Sequence, residues 1–150
     1  MSVNEIEVDA PPAAVWAVLA DPPTYEEWVV GNKEIRDHDP KWPDAGTEFH
    51  HKVGFGPVAV KDKTVSLEAV TSRRLVMNVR AFPAGQGVVT FDLTETGQGT
   101  HVRMEELPAG GPVKRVWPAL VPLVKVRNAE TLRRLRRLAE RRHRAQTPSR

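Results

Sequence analysis

The chain has 150 residues, enough for one domain with a sizeable core. It contains no cysteine, which excludes a disulfide framework and thiolate chemistry, and no apolar run of the roughly 18 residues that a membrane-crossing helix needs. The net charge of +3 hides a split: residues 110–150 carry 12 Lys and Arg against 2 Asp and Glu, while the first 109 residues carry 10 against 17.

In chain order, Ser2 to Val8 reads as an opening strand with imperfect alternation of Val3, Ile6 and Val8. Asp9 is expected to cap a short helix, with Pro11 and Pro12 in its first turn and Val15, Trp16, Val18 and Leu19 available to the core. Asp21-Pro22-Pro23 ends that helix, and Thr24 is expected to cap a second one over 25–29. From Lys33 the period becomes two. Strands are predicted at 33–39, 47–54, 58–70, 75–82, 87–94 and 100–107, separated by short Gly-, Pro- and Ser-containing breaks. Connections this short between consecutive strands imply an antiparallel meander.

Pro112 to Arg144 is the predicted long C-terminal helix. Leu132, Leu135, Leu138 and Ala139 make one apolar stripe, and six arginines fill much of the remaining surface. Its first half, with Val116, Trp117, Leu120, Val121, Leu123 and Val124, is apolar nearly all round and is expected to be covered on most sides. Pro118 fits a first turn, whereas Pro122 implies a kink or a break. Ala145 to Arg150 is expected to be a disordered tail, leaving one domain over residues 1–144. The fold class is therefore α+β, a curved antiparallel sheet of about seven strands wrapped around the long helix with a cavity between.

Alternation predicts which strand residues face that cavity. The inward sets are Phe49, His51 and Val53; Leu75, Met77 and Val79 in preference to Val76, Asn78, Arg80 and Phe82; Val89, Phe91 and Leu93; and Val102, Met104 and Glu106. The facing of residues 58–68 is undecided. His51 and Glu106 are the polar members, and such a pair in a dry site suits general acid–base work. The competing reading is a satisfied core histidine and a structural carboxylate. Trp16, Trp28, Trp117 and Tyr25 are candidate cavity walls or plain core, and Trp42 is a loop residue, read as a lid or as partly exposed. Arg127-Asn128 interrupts the apolar stripe, and Arg127 is placed to meet an acidic ligand group or a carboxylate such as Glu106. The candidate site is His51 and Glu106 for catalysis, with Trp16, Trp28, Phe49, Met77, Phe91, Met104, Trp117, Leu120, Val124 and Arg127 for ligand binding. No metal site and no cofactor are expected, since the five histidines show no ligand spacing.

The order strand, two short helices, six strands, long helix resembles the START-like superfamily of helix-grip proteins, in particular its polyketide cyclase/dehydrase and lipid transport branch. The resemblance is carried by residues 8–16 (Val-Asp-Ala-Pro-Pro-Ala-Ala-Val-Trp), Leu19-Ala20-Asp21-Pro22, Tyr25-Glu26-Glu27-Trp28, Arg73-Arg74-Leu75-Val76, Gly99-Thr100-His101-Val102 and Arg127-Asn128. These are landmarks of a fold and not a catalytic signature. The resemblance implies a small hydrophobic ligand, polyketide, lipid or isoprenoid, held by a carrier or sensor. The alternatives are a cyclase, aromatase or dehydratase using the same cavity, and a protein-interaction module using the basic helix face. It also implies a homodimer. A cytoplasmic location is expected, with no integral membrane association, because the N-terminal stretch lacks the basic and apolar regions of a signal peptide. No nucleic-acid partner is expected, because no aromatic residue follows Trp117 to stack bases beside the arginines.

Overall fold

The computed structural model describes residues 1–55, 58–81 and 85–146, with side chains left out at 32–33, 53–55, 58–60 and 81. Strand β1 (Ser2–Val8) leads into helix α1 (Pro12–Leu19), a 3₁₀ turn at Pro22–Thr24 and the single-turn helix α2 (Tyr25–Trp28). Six strands follow: β2 (Asn32–His38), β3 (Glu48–Phe55), β4 (Val58–Val70), β5 (Arg74–Ala81), β6 (Gly85–Glu95) and β7 (Thr100–Gly110). Helix α3 (Val113–Gln146) closes the chain. The strands form one antiparallel sheet in the order β1-β7-β6-β5-β4-β3-β2. The meander is thus continuous from β2 to β7, and β1 docks beside β7 to complete the edge.

Alternation sets the faces. On β6, Val89, Phe91 and Leu93 are buried; on β7, Val102, Met104 and Glu106; on β5, Leu75 and Met77. Helix α3 lies over this face against β1, β7, α1 and α2, burying Leu132, Leu135, Leu138 and Ala139. Val53 was expected inward but its side chain lies outside the described residues, as do the Gly56-Pro57 turn and Phe82.

Five local expectations are corrected. Asp9 does not cap α1: Pro11 is the N-cap, with Pro12 as first helical residue and no side-chain cap bond. Proline suits that position because its missing N–H would be unpaired there anyway. Thr24 does hold the N-cap position of α2, but its side chain makes no cap bond, because the 3₁₀ turn runs straight into the helix. The Thr24 hydroxyl instead lies 2.6 Å from the Asp21 carbonyl and 3.0 Å from that of Val18, and it accepts the Trp28 indole N–H at 3.1 Å. Helix α3 does not break at Pro122. It stays helical through Pro118 and Pro122, both exposed, so the carbonyls that lose partners lie toward solvent. It also runs on to Gln146, two residues into the expected tail, while 147–150 lie outside the described residues. Finally, the first half of α3 is covered on one side only. Val116, Leu123 and Val126 are 51%, 68% and 70% exposed.

Candidate ligand cavity

The two short helices make the cavity's aromatic end. The last carbonyls of a helix have no partner within it. At the end of α1, the Leu19 carbonyl accepts the Tyr25 hydroxyl at 2.7 Å and the Trp42 indole N–H at 3.0 Å. These bonds draw Tyr25 and Trp42 together with Phe49 of β3, whose ring centroid lies 4.8 Å from Tyr25 and 4.7 Å from Trp42. Trp28 packs on Tyr25 at 4.5 Å and edge-on to Phe91 at 5.8 Å. Burial pushes the Tyr25 phenol far above its ordinary pKa, so it serves as a neutral donor. Trp42, expected in an open loop, is therefore core.

Between this cluster, the sheet and α3 lies a cavity of about 240 Å³. Helix α3 lines it with Val113, Trp117, Leu120, Val124, Arg127 and Thr131, which recur at three- and four-residue spacing on one face. The sheet contributes Phe49, His51, Thr64, Met77, Val79, Gly87, Val89, Phe91, Met104 and Glu106, and α2 contributes Tyr25 and Trp28. Of the residues singled out in the sequence, all but Trp16 line this cavity. Trp16 is buried on α1 among the core residues instead.

Two polar groups on the wall, Glu106 and Arg127, are bound to each other and to the buried Asn128. Glu106 Oε1 accepts from Asn128 Nδ2 at 3.0 Å and from Arg127 Nη2 at 3.2 Å, and Arg127 Nε donates to Asn128 Oδ1 at 3.3 Å. Asn128 is wholly buried. The interruption of the apolar stripe at Arg127-Asn128 is thus the point where α3 is tied to β7. Glu106 Oε2 takes none of these bonds. It points toward Gly87, where a side chain's Cβ would stand 4.0 Å from it and 3.4 Å from the Leu107 carbonyl oxygen.

His51 lies on the far wall. Its Nε2 is 2.9 Å from the Thr64 hydroxyl, and its buried Nδ1 has no partner among the described residues. Burial lowers its pKa below the ordinary value, against the Lys63 backbone and Asp62, which raise it. The ring is neutral at neutral pH. The sheet order puts β3 four strands from β7, about 19 Å along the sheet before curvature shortens it. His51 and Glu106 therefore share a cavity without touching. The facing of β4 was hard to read because of an irregularity between Ser66 and Glu68. Thr64 and Ser66 are buried before it, Leu67 is exposed, and Ala69 packs on the core after it. Thr64, Thr131 and Gly87 were not foreseen as lining residues. No single-sequence signal marks the first two, and the glycine reads as strand-interior irregularity.

Among the described residues no group of three or more His, Asp or Glu could hold a metal ion, and no helix is long and apolar enough to cross a membrane.

A curved seven-stranded antiparallel sheet gripping one long helix over an apolar, aromatic-walled cavity defines a helix-grip protein. The family model described as "Polyketide cyclase / dehydrase and lipid transport" matches residues 2–140, and the chain belongs to that family. No curated protein matches the sequence. Among solved structures it is similar to protein CV1439 from Chromobacterium violaceum at 19% identity, covering 92% of this chain and 96% of that one with a TM-score of 0.71. It is similar to protein MLL2253 from Mesorhizobium loti at 26% identity, covering 93% and 96% with a TM-score of 0.66. It is also similar to the di-domain ARO/CYC BexL from the BE-7585A biosynthetic pathway at 17% identity and a TM-score of 0.66, covering 92% of this chain but only 49% of that one.

Proposed function

We propose that this protein binds one small hydrophobic molecule between the sheet and α3, as a carrier or sensor. The observation that carries this reading is the cavity itself. Protein interiors are close-packed, with few voids larger than a water molecule, yet about 240 Å³ lies open here behind apolar side chains. Size narrows the ligand. A cavity of roughly 150 Å³ holds benzene, so this one suits a compact molecule of about ten to fifteen non-hydrogen atoms. A ring system of polyketide or isoprenoid type fits that size, and a two-chain lipid does not without expansion. The test is native mass spectrometry of freshly purified protein, followed by organic extraction. A stoichiometric apolar passenger supports the reading. An empty protein that no compact ring compound stabilises against heat counts against it.

A second reading is a cyclase, aromatase or dehydratase acting on a ligand in the same cavity. It is favoured by Glu106, whose second oxygen is free within hydrogen-bonding reach of a ligand beside Gly87, and by the cyclase/dehydrase description of the family. Turnover of an extracted ligand that Glu106→Gln abolishes, with affinity retained, would favour chemistry over carriage.

A further inference from the structure

We infer that Glu106 acts as a chemical filter in the cavity, admitting neutral ligands that present a hydroxyl hydrogen and rejecting carboxylates. The inference rests on the ligand-binding reading and adds the ligand's polar chemistry to it.

Three observations carry it. Glu106 is the carboxylate and Arg127 the guanidinium among the lining residues, with His51, the other basic side chain, on the far wall, and the first two are paired with each other through Oε1 at 3.2 Å. The guanidinium is therefore already engaged, and Asn128 holds the same oxygen at 3.0 Å from a wholly buried position. An incoming carboxylate would find no unpaired cation on the described wall, and it would approach a second carboxylate in a site shielded from water. That repulsion is strong at low local dielectric. The remaining oxygen, Oε2, accepts no hydrogen bond from the described residues. It faces the bare backbone at Gly87, where the absent side chain leaves space beside it. A carboxylate oxygen is an acceptor only. Its complement is a donor, and a phenol or alcohol meets it without bringing charge. Val79 lies opposite Gly87 and Val89 opposite Glu106 in the sheet, and both line the cavity, which suits the hydrocarbon body of the same molecule.

Naphthalene, 2-naphthol and 2-naphthoate, three probes of one ring size, test this by titration calorimetry or thermal shift at neutral pH. A hydrogen bond to a charged group predicts that 2-naphthol binds about tenfold or more tighter than naphthalene. 2-Naphthoate is expected to bind more weakly than naphthalene. In Glu106→Gln, which keeps an acceptor for Asn128, the naphthol advantage shrinks severalfold and 2-naphthoate gains. Binding of 2-naphthoate by the unaltered protein as tightly as 2-naphthol overturns the filter, as does a naphthol preference unchanged in Glu106→Gln. Either result leaves a cavity that binds rings. If none of the three probes binds, the ligand-binding reading itself fails and takes the filter with it.

Discussion

Glu106, Asn128 and Arg127 show how a polar group is held on an otherwise apolar wall. Glu106 Oε1 accepts from both Asn128 and Arg127, so removing it costs more than one bond. Glu106→Leu leaves the buried Asn128 amide and the half-buried Arg127 without their shared acceptor. A loss of about 1–3 kcal/mol is expected from urea denaturation, and Glu106→Leu combined with Asn128→Leu should lose less than the two single changes added together. Two histidines make opposite demands on pH. His51 is buried and its pKa is depressed below 6.5. It contributes stability that is present above 6.5 and lost as pH falls toward its folded value. His101 stands between Glu7 and Glu5 on the outer face of β1 and β7, and its hydrogen bond to Glu7 raises its pKa above 6.5. Its contribution is present below 6.5 and lost as pH rises through the raised value. Melting temperatures across this range should therefore show less acid loss in His51→Gln and less alkaline loss in His101→Gln. The reverse pattern would refute both assignments.

At the scale of the element, α3 is two helices in one. Its inner face is continuous: Val113 to Thr131 walls the cavity and Leu132 to Ala139 seals the core. Its outer face is apolar early and basic late. Leu135 is wholly buried, so Leu135→Ala should cost about 2–5 kcal/mol, whereas Leu123→Gln, 68% exposed, should change stability by under about 0.5 kcal/mol. A loss at Leu123 comparable to that at Leu135 would mean that the outer face is covered in solution. The same helix shows what a sequence can carry. The leucine stripe was legible because it repeats at the helical period and nothing interrupts it. The inward sets of β5, β6 and β7 were legible because strict alternation leaves two choices and one is apolar. The coverage of the first half of α3 was not, since an all-apolar stretch carries no phase. Trp16 and Trp42 were less legible for a related reason: an aromatic ring fits a core and a cavity wall equally well. The partner that decides between them, Leu19 for Trp42, lies 23 residues away in the chain.

Over the whole molecule, the cavity lies between the sheet and the Val113–Thr131 half of α3, and the second half of that helix packs into the core. The Leu132–Ala139 stripe closes one end with Val8, Val15 and Leu19. Along the first half, Asn128 ties α3 to Glu106 of β7 and the Thr131 hydroxyl accepts the Val30 N–H after α2, while Gly87 contributes no side chain to the cavity. That makes Gly87 the position where cavity and fold can be separated experimentally. A Cβ there meets the Leu107 carbonyl oxygen at 3.4 Å, an ordinary contact, and the residue lies within a strand, where a β-branched side chain is favoured. Gly87→Val should therefore leave the fold intact, with a melting temperature equal to or above that of the unaltered protein in the absence of ligand. Its methyl groups would occupy part of the 240 Å³ beside Glu106, so binding of any ring compound should weaken by at least tenfold, and ligand-induced stabilisation should fall with it. A variant that folds normally and still binds a ring compound unchanged would place the ligand elsewhere on the molecule. One that melts well below the unaltered protein would show that Gly87 is required by the β6–β7 backbone and not by the cavity.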